Sequence, residues 1–165
     1  MKNSDIISLV RCGILSMTSH DLPSSEAYKT VRLKMEVQRA YKSLSEAEMN
    51  ILSECGIHDV ERHNARQKEL SSKLQRTEAE QSELRNIIDM TRRANAMTAS
   101  LRSEDVSLNV TPLDYDTWRS LQCENRSVMV EGSSIDILGG IAEIILHDVF
   151  WSDPQVTDEV QNENV

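Results

Sequence analysis

From His58 to Arg102 the chain runs for 45 residues, "HDVERHNARQKELSSKLQRTEAEQSELRNIIDMTRRANAMTASLR", without a glycine or a proline. These two residues interrupt helices, glycine through backbone entropy and proline through its missing N–H and its ring. A stretch that lacks both and is rich in Glu, Arg, Gln, Leu and Ala is predicted to be one coiled-coil-like helix, with Asp59 as its N-cap. The 44 residues from Asp59 to Arg102 would span roughly 66 Å at about 1.5 Å per residue. That exceeds the width of a small domain, so part of the helix is expected to project or to find another chain.

A 3-4 spacing can be followed along it through Val60, His63, Gln67, Leu70, Leu74, Thr77, Gln81 and Leu84, and then Ile87, Met90, Ala94, Met97 and Leu101. The first part of this seam is half polar and the second wholly apolar. Two successive steps of three, Leu84 to Ile87 to Met90, break the heptad and would overwind a supercoil locally. Leu84, Ile87, Met90, Ala94, Met97 and Leu101 are therefore the predicted partner-binding seam, for a second copy of the chain or for a helical partner. The competing arrangement folds the N-terminal helices back on this one as an antiparallel bundle, but the helix preceding it is too short to cover it all.

Upstream, Ile6, Val10, Ile14 and Met17 share a stripe that predicts a first helix with Asn3 or Ser4 as cap. After the turn-rich "TSHDLPSS", a second helix is expected to about Leu44. Its apolar residues fall into two opposed groups, Tyr28, Val31 and Met35 against Leu33, Val37, Ala40, Tyr41 and Leu44. A helix apolar on two faces needs two partners, which the first helix and the long helix can supply. "SEAE", Ser45 to Glu48, matches a capping box and predicts a short third helix ending at Gly56, where a left-handed C-cap closed by Ile57 is expected.

Beyond Arg102 the pattern changes. "VSLNV" (Val106 to Val110) alternates as a strand does, "TPLDYDTWRSLQ" begins like a short helix with Pro112 at its first position, and "SVMV" reads as a second strand. Residues 133–151 are either a hairpin partner "SIDIL" followed by a helix after Gly139-Gly140, which the alternation of Ile135 and Ile137 favours, or one helix capped by Ser133. The predicted architecture is thus mainly α: N-terminal helices packed on one long helix over 1–102, a small α+β head over 103–151, and an acidic tail over 152–165 without apolar pattern. The apolar "IAEIILHDVFW" in the head offers Phe150 and Trp151 as partner anchors.

The net charge of −9 is unevenly distributed: residues 1–58 are neutral, 59–102 carry +2, and 103–165 carry thirteen acidic side chains against Arg119 and Arg126. An acidic end of this kind repels phosphate backbones and attracts basic protein surfaces. With one Phe, two Trp and three Tyr there is also little aromatic surface for stacking bases, so direct nucleic-acid binding is not expected. Three widely spaced cysteines, Cys12, Cys55 and Cys123, give no disulfide framework and suggest a reducing, cytoplasmic setting. No window of the sequence reaches the length of an apolar membrane span.

Residues capable of chemistry are sparse. The one cluster of ligand types is Cys55, His58, Asp59 and His63, but the two histidines are five apart, whereas helical metal sites place ligands three or four apart. Their expected roles are capping, for Asp59, and a polar seam position, for His63. His147 and Asp148 lack a nucleophile elbow nearby, Gly139-Gly140 is no phosphate loop, and the spread acidic residues do not form a calcium loop. No cofactor, metal or catalytic residue is predicted. The expectation is a non-enzymatic assembly or adaptor protein, a component of a large particle, viral or cellular, included. The alternatives are an acidic inhibitor that mimics nucleic-acid charge towards a basic protein, and a small metal-dependent enzyme built on His58, Asp59 and His63.

Overall fold

The computed structural model describes residues 1–18, 22–111, 113, 127–130 and 133–136. These are mainly helical: α1 (Asn3–Arg11), a 3-10 turn (Ile14–Ser16), α2 (Ser24–Glu54), α3 (Val60–Ser72) and α4 (Glu78–Ser103), followed by the strands β1 (Ser127–Val130) and β2 (Ser133–Asp136). The chain divides into two compact units, Met1–Ile7 with Arg39–Ser107, and Ser8–Gln38 with Leu108–Val165, so that α1 and α2 each contribute to both. No helix among the described residues is long and apolar enough to cross a membrane.

In the first unit, the stretch expected to be one helix of 44 residues is two. It breaks between Ser72 and Glu78 into α3 and α4. Three side-chain pairs join them, His63 to Thr91, Arg66 to Glu83 and Lys73 to Glu80. Their sequence separations of 28, 17 and 7 shrink towards the turn, as they must in an antiparallel hairpin.

The break has local causes that do not involve glycine or proline. Thr77 is the N-cap of α4: its hydroxyl accepts from the Glu80 N–H at 3.2 Å, and the Glu80 carboxylate accepts from the Thr77 N–H at 3.0 Å. At the other end the Arg76 guanidinium donates to the carbonyls of Leu70 and Ser71, and Ser72 Oγ donates to that of Glu69. The end groups of both helices thereby find partners without a glycine. Interrupting a helix forfeits backbone hydrogen bonds worth a net ~0.5–1.5 kcal/mol each, which these caps replace. Folding back also buries Leu70 and Ile87, at about 1.5–3 kcal/mol for each large apolar side chain. Leu74, at the turn, is left fully exposed.

The opposite correction applies upstream. The break expected at Ser45 is absent, and α2 continues to Glu54. A capping box requires its first residue to leave helical geometry, and Ser45 stays within α2. The helix ends at Gly56, as expected from the sequence. Gly56 has φ +82, its N–H reaches the Ser53 carbonyl at 2.9 Å, and the Ile57 N–H reaches that of Leu52 at 2.8 Å, the two bonds of a Schellman cap. Ile57 is buried with Cys55 and Ala94, and Ile51, Leu52 and Met90 pack around them. Asp59 caps α3, accepting from the Arg62 N–H at 2.9 Å.

The chain start closes this unit. Lys2 bridges Asp105 in antiparallel fashion, the Asn3 N–H donates to Glu104 at 3.0 Å, and the Val106 N–H donates to Met1 at 2.9 Å. Lys2 Nζ and Asn3 Nδ2 donate to the carbonyls of Ser103 and Leu101, each at 2.9 Å. Both carbonyls lie in the last turn of α4, that of Leu101 also accepting from the Glu104 N–H at 3.2 Å, and a lysine there complements the helix dipole. Residues 106–110, expected as a strand, form no ladder. Asn3 and Ser4, expected as caps, lie inside α1, and Asp5 accepts from the Lys2 N–H at 2.7 Å.

In the second unit α1 ends earlier than its apolar stripe suggests. Gly13 takes φ +87, and Ile14–Ser16 continue as a 3-10 turn. Leu9, Cys12, Ile14, Met17, Leu33, Val37 and Leu113 supply its buried apolar side chains, and burial pushes the Cys12 thiol above its ordinary pKa. β1 and β2 pair antiparallel, Val128 with Ile135 and Val130 with Ser133. The rest of the expected head and the tail over 152–165 lie outside the described residues.

Candidate docking surface on the second helix

Over its first fifteen residues α2 is held on one side and open on the other. Thr30, Leu33, Glu36 and Val37 are buried. The Thr30 hydroxyl donates to the Glu26 carbonyl at 2.9 Å, so its burial leaves no unpaired donor. Glu36 Oε2 accepts from the Asn109 N–H at 3.2 Å, and Lys34 Nζ donates to the Met17 carbonyl at 2.7 Å. These two bonds tie the segments on either side of the helix to it. Lys29 is turned onto Glu26 at 2.7 Å.

The remaining face carries Tyr28, Val31 and Met35, exposed to 66%, 47% and 58%. Spacings of three and four place them in one row on a helix, and Arg32 borders that row. Single exposed apolar residues are ordinary on a protein surface; three in register on one helix are the arrangement that receives a partner helix. The sequence separates this face from the Leu33 and Val37 face and assigns it a partner within the chain. In the structure that partner is absent among the described residues.

The seam predicted for partner binding is partly buried within the chain. Ile87 and Ala94 are buried, while Leu84, Met90 and Leu101 are half-buried. Ala94 and Met90 pack with Cys55 and Ile57, at the end of α2. Met97 stays 39% exposed, although its sulfur meets Cys55 Sγ at 3.9 Å. Phe150 and Trp151 lie outside the described residues. Exchanging such packed side chains for a partner would require the helical hairpin to open.

The ligand-type cluster separates into structural roles. Cys55 belongs to the apolar cluster, His58 Nδ1 lies 3.3 Å from Ser53 Oγ, Asp59 caps α3, and His63 Nε2 meets Thr91 Oγ1 at 2.9 Å. The Thr91 hydroxyl spends its single proton on the Ile87 carbonyl, so His63 is the donor in this pair. His58, Asp59 and His63 do line a shallow cleft with Arg62 and Arg66. The Arg66 charge is engaged there by Glu83, at 2.7 Å, and Glu69, at 2.8 Å, which raise its pKa above the ordinary arginine value. Among the described residues no group of three His, Cys, Asp or Glu side chains is placed to hold a metal ion.

Compared with protein-family models, curated proteins and solved structures, the chain finds no match. The described residues define a mainly helical protein in which an apolar face of α2 is exposed.

Proposed function

We propose that this protein is a non-enzymatic assembly or adaptor protein, and that it binds other protein through the exposed face of α2. The observation that supports this is the row of Tyr28, Val31 and Met35 standing open on a helix whose opposite face is buried. The hairpin of α3 and α4 then serves as a rigid support for the end of α2, through Cys55, Ile57 and Ala94. A reducing, cytoplasmic setting agrees with the unbridged thiols of Cys12 and Cys55.

The test is absolute mass by size-exclusion chromatography with light scattering, over a wide concentration range and at low and high salt. The reading expects an assembly larger than one chain that Val31→Glu and Met35→Glu each dissolve while helical circular dichroism is unchanged. A chain that associates equally well with either substitution would exclude this face as the docking site.

A further inference from the structure

The face of α2 has a definite chemistry. Tyr28, Val31 and Met35 are apolar, Arg32 flanks them, and residues 24–44 carry Lys29, Arg32, Lys34, Arg39 and Lys42 against Glu26 and Glu36 only. A complementary occupant is a short segment rich in large apolar side chains and carrying acidic ones. The chain contains such a segment. "IAEIILHDVFW", Ile141–Trp151, has eight apolar residues together with Glu143 and Asp148, and it belongs to a C-terminal third with a net charge of −11. It lies outside the described residues. Stripe against stripe is the weaker alternative, since it would bring two Arg32 side chains and two basic helix segments together.

We propose that the exposed stripe of α2 receives the acidic, apolar segment Ile141–Trp151 of a second copy of this chain. The inference rests on the reading of α2 as the docking face and names its occupant. A second copy is favoured because two chains can then each cover the other's stripe. Reciprocal exchange also closes under two-fold symmetry, using the same contact twice. The area is adequate. Aromatic side chains bury about 150–250 Å² each, so Tyr28, Phe150 and Trp151, counted over two contacts, approach the roughly 1,200–2,000 Å² of a stable interface.

The experiment uses the full-length chain in three forms: wild type, Val31→Glu in the stripe, and Trp151→Glu in the segment. Phe150→Ala stands in if Trp151→Glu loses its cooperative thermal transition. Wild type is expected to form a two-chain species by light scattering, and each variant alone is expected to be monomeric. An equimolar mixture of the two variants is expected to recover a two-chain species, because the intact segment of one meets the intact stripe of the other. A mixture that stays monomeric overturns the proposal. So does a segment variant that dimerises like wild type; if Val31→Glu is then still monomeric, the docking face stands and only its occupant falls. Wild type that is monomeric throughout, with amides of 141–151 protected from hydrogen exchange until Val31→Glu is introduced, overturns it in favour of contact within one chain.

Discussion

A Cβ added to Gly56 would stand 2.8 Å from Cε of Met90, on a backbone with φ +82. The two residues meet where the end of α2 lies against α4. The methionine terminus is flexible and can move away, but the left-handed backbone cannot relax without losing the Schellman bonds to Leu52 and Ser53. Gly56→Ala is therefore expected to destabilise the protein by about 1–2 kcal/mol, the cost of placing an L side chain in that conformation. Urea denaturation followed by circular dichroism measures it, and an unchanged midpoint would count against the cap.

Two tetrapeptides of the same pattern, Ser45 to Glu48 and Thr77 to Glu80, occur in the chain, and only the second caps a helix. Thr77→Ala is expected to cost about 0.5–2 kcal/mol. Ser45→Ala, inside α2, should be neutral or slightly stabilising, since alanine is the better helix former. Thermal midpoints of the two variants decide it; the reverse order would restore the break at Ser45.

Leu70 is fully buried and Leu74, one helical turn later on the same predicted seam, is fully exposed. Leu70→Ala is expected to cost about 2–5 kcal/mol, while Leu74→Ala should lie within about 0.5 kcal/mol of wild type. Equal losses at the two positions would mean that the seam is continuous and the hairpin is not formed.

Near the turn, Lys73 bonds Glu80 at 2.6 Å and Arg66 holds Glu83 and Glu69. The Lys73 hydrogen bond, followed by that from the Thr77 N–H, pulls the Glu80 pKa from its ordinary 4.5 down to about 2. Hydrogen bonds from Arg66 lower those of Glu83 and Glu69 as well. A carboxylate whose folded pKa is depressed contributes stability that is fully present above its unfolded value, here 4.5, and that is lost as pH falls through about 2. Between those limits the hairpin should loosen with acid, and, the groups being in reach of solvent, with salt also. Carboxyl-carbon NMR titration should give Glu80 a midpoint near 2, and Lys73→Met should raise it; a midpoint that ignores the substitution would leave the ion pair without effect.

Much of the fold can be read from local grammar. Gly56 and Asp59 are legible because each acts within a few residues of itself, through a positive φ and a capping carboxylate. The opposed faces of α2 are legible from 100° steps, although whether a face is covered depends on distant chain. The hairpin turn is less evident, because its signals are ambiguous one by one. Thr77-Glu78-Ala79-Glu80 differs from Ser45-Glu46-Ala47-Glu48 only at its first residue, so neither tetrapeptide identifies the functioning cap. The choice is made by terms outside the tetrapeptide, the burial of Leu70 and the Arg76 bonds to the end of α3. The absence of glycine and proline permits a long helix without requiring one.

The contacts between the chain start and the end of α4 also govern the order in which the first unit can assemble. The α3 and α4 hairpin closes over short separations, down to the 7 residues between Lys73 and Glu80, and is open to rapid, local nucleation. The bond from Lys2 to Ser103 joins residues 101 apart, and its loop-closure entropy must be met by structure that already exists. Lys2 and Asn3 can meet these partners only once the last turn of α4 has formed. Closure of this unit is therefore expected to follow formation of the hairpin, so that these terminal contacts seal structure already made elsewhere in it.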